Sequence, residues 1–315
     1  MAAAALEVTI MNVSTALIDH VRSQMPELTL RPNEAMNTHC SMRIGGRAAV
    51  LALPRTLTQL TALCDILHRS GVEPMIMGNG TNMLFGDEPI DRFIVKLGDG
   101  FDTVTQVGEH RLFAMSGVSL ARLANHALSL GLRGLEFAQG IPGTLGGALS
   151  MNAGAYDGEM AQVTSRVRFI DGTGNLLVRS GDELEYGYRR SYFTGHQDCV
   201  IVGGELSLEP GEPDAISEKM RELAQRRRES QPLDMASAGS TFKRPANGYA
   251  AQLIDEAGLR GYAVGAAQVS EKHAGFLINR GGASFSDMMA LIEHVRDTVF
   301  KNSGVTLELE VKIVQ

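Results

Sequence analysis

Residues 139–156, QGIPGTLGGALSMNAGAY, constrain this chain more than any other stretch. Five glycines (Gly140, Gly143, Gly146, Gly147 and Gly154) stand around Pro142 among alanines and small hydroxyls, with almost no ordinary side-chain chemistry. Glycine has no Cβ, so the backbone can approach a bulky ligand closely and adopt positive φ where a turn needs it. Runs of exposed N–H groups form cradles for phosphate or pyrophosphate. One Gly-Gly pair would read as a turn. Five glycines, in a chain with a second glycine loop (GNGTN, 78–82), point to ligand binding.

Two such loops after apolar runs suggest a dinucleotide, but not by the common routes. Neither loop fits G-x-G-x-x-G, and no Gly-Lys-Ser/Thr sequence exists, so a Rossmann fold and a P-loop nucleotidase are both unsupported. A chain of 315 residues with 44% hydrophobic and 21% charged residues belongs with globular proteins of two or three domains. Its net charge of −7 opposes a nucleic-acid partner held through phosphates. The dense basic run at 226–228 sits in a predicted helix.

Three separated cysteines and eight scattered histidines show neither disulfide nor metal-ligand spacing, so a reducing compartment and no metal are expected. The N-terminal MAAAALEVTIM lacks the basic start of a signal peptide. No apolar run reaches membrane-span length. A cytoplasmic protein without membrane insertion is expected.

Periodicity predicts helices at 14–25, 56–70, 120–130 (capped by Ser119 and closed by Gly131), 213–230 and 250–257, and a long helix from Ser286 to about 302. Strands are predicted at 48–53, 74–78, 93–97, 111–117, 200–208, near 264–269 and at 276–278. A hairpin joins 166–171 to 175–180 across DGTG. Residues 231–239 read as an irregular link. The last strand, 306–314, places Glu308, Glu310 and Lys312 on one face. Pro210, Gly211 and Pro213 mark a domain boundary at 209–215.

Seven pieces occur in order: MRIGG at 42–46, GNGTN at 78–82, GIPGTLGGALSMNAGAY at 140–156, YGYRRSYF at 186–193, AGSTFKRP at 238–245, LIDEAGLRG at 253–261 and LELEVKI at 307–313. With them the chain resembles the UDP-N-acetylenolpyruvoylglucosamine reductase family from about residue 37 to 313. It is similar to the family's shorter type, which lacks an additional tyrosine-bearing substrate loop.

The resemblance implies an α+β fold. A vanillyl-alcohol-oxidase-type FAD-binding domain (1–210, two α/β lobes joined by a C-terminal strand, 304–315) would precede a smaller α/β substrate-binding domain (215–303). It also implies non-covalent FAD, NADPH as co-substrate, a nucleotide-sugar substrate and a monomer. The enolpyruvyl group would be reduced to give UDP-N-acetylmuramate in peptidoglycan synthesis, with hydride added at C3 and a proton at C2.

In this reading Arg189, Ser240 and Glu310 are catalytic. Arg189 holds the substrate carboxylate, Ser240 protonates C2, and Glu310 helps the developing enolate; Arg190 competes with Arg189, and Glu308 is a solvated neighbour. The cofactor would be held by Gly45, Gly78, Asn79, Gly80, Thr81, Asn82, Gly140, Ile141, Pro142, Gly143, Thr144, Gly146, Gly147, Ala148 and Arg228. The sugar nucleotide would meet Tyr156, Tyr188, Lys243, Arg244 and Arg260.

Three positions depart from the family pattern. Asn79 replaces a glycine, Gln231 stands where the longer type has a lysine, and Met42 replaces a more usual aromatic or hydrophobic residue. His39 and Cys40 are expected to be structural. The competing readings are another flavin oxidoreductase of the same fold and a catalytically silent binding module; neither has reason to keep Arg189, Ser240 and Glu310 together.

Overall fold

A computed structural model describes residues 13–246 and 248–315. The N-terminal segment considered for a signal peptide lies outside the described residues.

Among the described residues, three sheets of four or five strands organise the chain, beside three two-stranded pairs. In the first, the order is Thr29–Ala35, Arg47–Leu53, Ile90–Lys96, Met75–Met77. Its first pair is antiparallel and the rest parallel. The helix Leu57–Arg69 returns across it, with Thr56 Oγ1 accepting the Gln59 N–H at 3.1 Å as N-cap. Leu60, Leu63, Cys64 and Leu67 follow its i, i+3, i+4, i+7 stripe and are buried.

The second sheet is wholly antiparallel, in the order Leu176–Ser180, Thr164–Ile170, Val200–Ser207, Arg111–Met115, Val104–Gly108. The predicted DGTG hairpin joins its first two strands. Asp171 Oδ1 accepts the N–H groups of Thr173 and Asn175, each at 2.9 Å, and fixes the turn.

The third sheet, Ala236–Ser240, Phe276–Asn279, Ala267–Val269, Ala263–Val264, is covered by the long helix Phe285–Ser303. That helix buries Met288, Leu291, Ile292, Val295 and Val299.

Several expectations need correction. The long helix is capped by Ser284, not Ser286: Ser284 and Asp287 form a reciprocal capping box, and the helix therefore starts earlier. Part of the expected link at 231–239 is a strand, because Ala236–Ser240 has Phe276–Asn279 to pair with. The last strand shrinks to Lys312–Val314, parallel to Met83–Phe85; its earlier half makes only a bridge between Leu309 and Phe242. The glycine-rich stretch is not all loop either. Leu145–Met151 is a helix, ended by Asn152 at φ 46°.

The cores show how the pieces meet. One apolar cluster joins Met36, Met42, Leu84 and Phe85 of the first lobe to Ala238, Leu277, Leu291 and Val311 of the C-terminal part. A second cluster fills the antiparallel lobe. A third lies under the Leu57–Arg69 helix and reaches Val200 and Val202 of the second sheet. Two cavities open where these parts converge.

Candidate active site

The larger cavity, about 1000 Å³, is lined by Arg189, Ser240 and Glu310 together. They come from three distant parts of the chain, and local backbone explains how each arrives. Gly187 and Arg190 exchange backbone hydrogen bonds of 3.1 and 3.2 Å, which turns the chain sharply and puts Arg189 at the corner with φ 54°. A non-glycine residue there costs free energy, on the order of 1–3 kcal/mol, and such strain clusters at functional sites. Asn152, fully buried, steadies the turn: its Nδ2 donates to the Gly187 carbonyl at 3.1 Å and its Oδ1 accepts the Ala161 N–H at 2.9 Å.

Glu310 is clamped from two sides. Its N–H donates to the Thr241 carbonyl at 2.9 Å, next to Ser240 in sequence. Asn82 Nδ2 donates to the Glu310 carbonyl, and Lys312 N–H donates to the Asn82 carbonyl, both at 3.0 Å. One residue of the GNGTN loop thus holds the backbone that presents the carboxylate. Arg189 Nε donates to Glu310 Oε1 at 2.8 Å and its Nη2 donates to the Gly154 carbonyl at 3.2 Å. Burial raises the Glu310 pKa, and the Arg189 charge opposes that rise. Arg189, not Arg190, faces the cavity. Glu308 is exposed and pairs with Lys243 at 3.3 Å.

The second cavity, about 540 Å³, adjoins the first and is lined by all of residues 78–82 and by Gly143, Thr144, Gly146, Gly147 and Ala148. Among the described residues, none of the five N–H groups from Gly78 to Asn82 donates to a protein acceptor, while the Gly80 carbonyl accepts Ser41 N–H at 3.1 Å. Gly80 sits at φ 61°, and a Cβ there would stand 2.4 Å from the His39 carbonyl. The loop therefore faces its donors away from the protein, which fits an anionic diphosphate.

In 140–148 the donors are fewer than the composition suggests. Ile141, Gly146 and Ala148 spend their N–H groups on the carbonyls of Ala138, Ser116 and Thr144, whereas Gly140, Gly143 and Thr144 do not donate to a protein carbonyl. The buried Ser116 hydroxyl beside Gly146 also lacks a partner. These residues fit the dinucleotide FAD.

Tyr156, Tyr188 and Arg244 line the larger cavity as expected substrate contacts would. Four named residues do not line either cavity. Gly45 packs against Phe85, where a Cβ would be 2.6 Å from its Cβ. Lys243 turns to Glu308. Arg260 is engaged by both Asp255 oxygens, at 2.5 and 2.9 Å, and by the Glu271 carbonyl at 2.8 Å.

Arg228 is exposed, with its carbonyl accepting from Lys272. Its neighbour Arg227 lines the cavity instead: Nε donates to Gln231 Oε1 at 2.8 Å, and the buried Nη1 has no partner. Burial lowers the Arg227 pKa, opposed by Tyr156. The sequence carried this signal. Ile216, Met220 and Leu223 are the buried face of the Pro213–Ser230 helix, and the next position on that face is 227.

His39 also lines the cavity and links two charges. Lys96 Nζ has only hydrogens to offer, so it donates to His39 Nδ1 at 3.3 Å, leaving Nε2–H for Glu34 Oε1 at 2.8 Å.

Residues 48–180 match the family described as an FAD binding domain, and residues 231–314 match the UDP-N-acetylenolpyruvoylglucosamine reductase, C-terminal domain. The UDP-N-acetylenolpyruvoylglucosamine reductase of Caldanaerobacter subterraneus subsp. tengcongensis is 44% identical over 298 residues, 95% of this chain and 98% of that protein. That of Clostridioides difficile is 43% identical over 285 residues, 90% of this chain and 93% of its own. The crystal structure of the Thermus caldophilus UDP-N-acetylenolpyruvylglucosamine reductase superposes with a TM-score of 0.77 at 31% identity, covering 92% of this chain and 99% of the other.

Proposed function

The chain belongs to the UDP-N-acetylenolpyruvoylglucosamine reductase family, and we propose which of its side chains carry each part of that family's reaction. The enzyme reduces enolpyruvyl UDP-N-acetylglucosamine to UDP-N-acetylmuramate for peptidoglycan synthesis, with NADPH as reductant. FAD, when bound, supplies the hydride relay between NADPH and the enolpyruvyl double bond. The residues to hold it are the free N–H groups of 78–82, 143 and 144, with Arg227 beside Gly140 in the adjoining cavity carrying a buried, unpaired Nη1.

Hydride addition at C3 builds negative charge at C2, next to the substrate carboxylate. Arg189 meets that charge with the part of its guanidinium not engaged by Glu310 and Gly154; a planar fork suits a carboxylate better than a point charge does. Glu310, its acidity weakened by burial, accepts from Arg189 Nε at 2.8 Å and so holds that guanidinium beside the developing enolate. Ser240 gives its hydroxyl proton to C2. A serine is a weak free acid, so this step needs the carbanion charge close by, in a site that excludes bulk water. Tyr156, Tyr188 and Arg244 meet the sugar nucleotide.

The observation that carries this reading is the convergence of Arg189, Ser240 and Glu310 on one wall. Residues 1–210 with 304–315 are assigned to the cofactor and 215–303 to the substrate. Among the described residues no helix is long and apolar enough to cross a membrane. A cytoplasmic monomer with no nucleic-acid partner completes the proposal, in keeping with the net charge of −7.

The test is an anaerobic titration of the yellow protein, first with NADPH and then with the enolpyruvyl nucleotide sugar. Bleaching followed by recolouring is expected; bleaching with no recolouring would mean another oxidant. Ser240→Ala should bleach at the wild-type rate and recolour about 10²–10⁴-fold more slowly. Equal slowing of both steps would remove Ser240 from the proton-donor role.

A further inference from the structure

The outer end of the larger cavity is aromatic. The side chains of Glu310 and Arg189 are 12% and 21% exposed, whereas the residues Tyr188 and Tyr249, which line the same cavity, are 50% and 56% exposed. Tyr249 belongs to none of the apolar clusters. It precedes the helix Ala250–Glu256 but makes no side-chain capping bond. Neither core packing nor capping accounts for an aromatic residue here.

Its surroundings do. The Arg244 guanidinium carbon lies 4.3 Å from the Tyr249 ring centroid. Arg244 is itself anchored through its N–H, which donates to Tyr188 Oη at 3.0 Å. No other aromatic ring among the described residues packs on Tyr249. A ring backed by a cation and otherwise open to a cavity mouth is the arrangement on which a planar base stacks, since every base offers a π-face.

Resting on the family reading above, we infer that Tyr249 is the stacking platform for the nucleobase of the sugar-nucleotide substrate. The reacting carbons then lie at the buried end with Arg189 and Glu310, and the base at the open end. Arg244, backing the ring, places positive charge near the diphosphate that adjoins the base.

The test titrates UDP, and separately inorganic pyrophosphate, calorimetrically into the FAD-loaded protein, alongside steady-state kinetics. Tyr249→Ala should weaken UDP binding and raise the KM for the nucleotide sugar about tenfold, within the range for base–aromatic stacking. Pyrophosphate binding and the rate of bleaching by NADPH should not change, and Tyr249→Phe should keep wild-type UDP affinity. Unchanged UDP affinity in the alanine variant would overturn the inference. So would equal losses for UDP and pyrophosphate, or a phenylalanine variant as weak as the alanine one. Because UDP binding is read without turnover, a wild-type protein that fails to recolour would refute the family reaction separately.

Discussion

Glu310 is pulled in two directions, by burial towards the neutral acid and by Arg189, 2.8 Å away, towards the carboxylate. Burial prevails, so this carboxyl ionises at a higher pH in the folded protein than in the unfolded chain. As pH rises from the ordinary glutamate value through the higher folded one, the unfolded state gains and the native state loses stability; below that window the group is neutral in both. Glu310→Gln removes this slope. Its unfolding free energy, measured by denaturant titration from pH 4 to 8, should fall less with pH than the wild type's. The slope is the readout, because the variant also leaves Arg189 without its counter-charge, which changes absolute stability by another route. The same variant should bleach normally with NADPH and recolour about 10²–10⁴-fold more slowly. Parallel stability curves, or wild-type recolouring, would take Glu310 out of the mechanism.

At the scale of elements, the Leu145–Met151 helix shows how a glycine can serve a ligand rather than the fold. A Cβ on Gly147 would meet nothing within 4 Å, and the residue faces the smaller cavity. Alanine in a helix interior is favoured over glycine by about 0.5–1 kcal/mol. Gly147→Ala should therefore melt slightly higher than wild type when both are stripped of FAD, yet bind FAD about tenfold more weakly, since the methyl takes ligand space. Unchanged FAD affinity would mean that this cavity is not the cofactor's. The helix also marks the limit of reading by composition. Glycines announced a ligand but not that Gly146 and Ala148 would spend their donors internally, because that depends on the Ser116 and Thr144 carbonyls the fold brings there. Motifs located Arg189, Ser240 and Glu310, whereas Arg227 was within reach of helical periodicity and was obscured by reading 226–228 as one charge run. The clamp by Asn82 joins residues more than two hundred positions apart, a pairing that no local pattern encodes.

For the whole molecule, the C-terminal part has no core of its own. Its buried Ala238, Leu277, Leu291 and Val311 share one cluster with Met36, Met42, Leu84 and Phe85 of the first lobe. Polar ties cross the same seam: Asn279 Nδ2 donates to the Met42 carbonyl at 3.0 Å, Ser41 Oγ to the Ser237 carbonyl at 2.6 Å, and Phe285 N–H to Asp87 Oδ2 at 2.7 Å. Lys312–Val314 adds a parallel strand to Met83–Phe85. Separating the two parts would expose that apolar face and take from Asn279 Nδ2 and Ser41 Oγ the acceptors they reach across the seam, at about 1–3 kcal/mol for each such group that stays buried. The border proposed near 209–215 therefore divides functions within a shared apolar cluster. Chains cut after residue 230 should give two pieces that do not melt cooperatively alone, while co-expression of both should restore a folded, yellow complex. A cooperative thermal transition for the isolated 231–315 piece would show that the shared cluster is an interface between independent units and not one core. If it is one core, the wall that joins Arg189 to Ser240 and Glu310 is as rigid as the fold itself, and mutations at the seam, far from any ligand, should slow recolouring as well as lower stability.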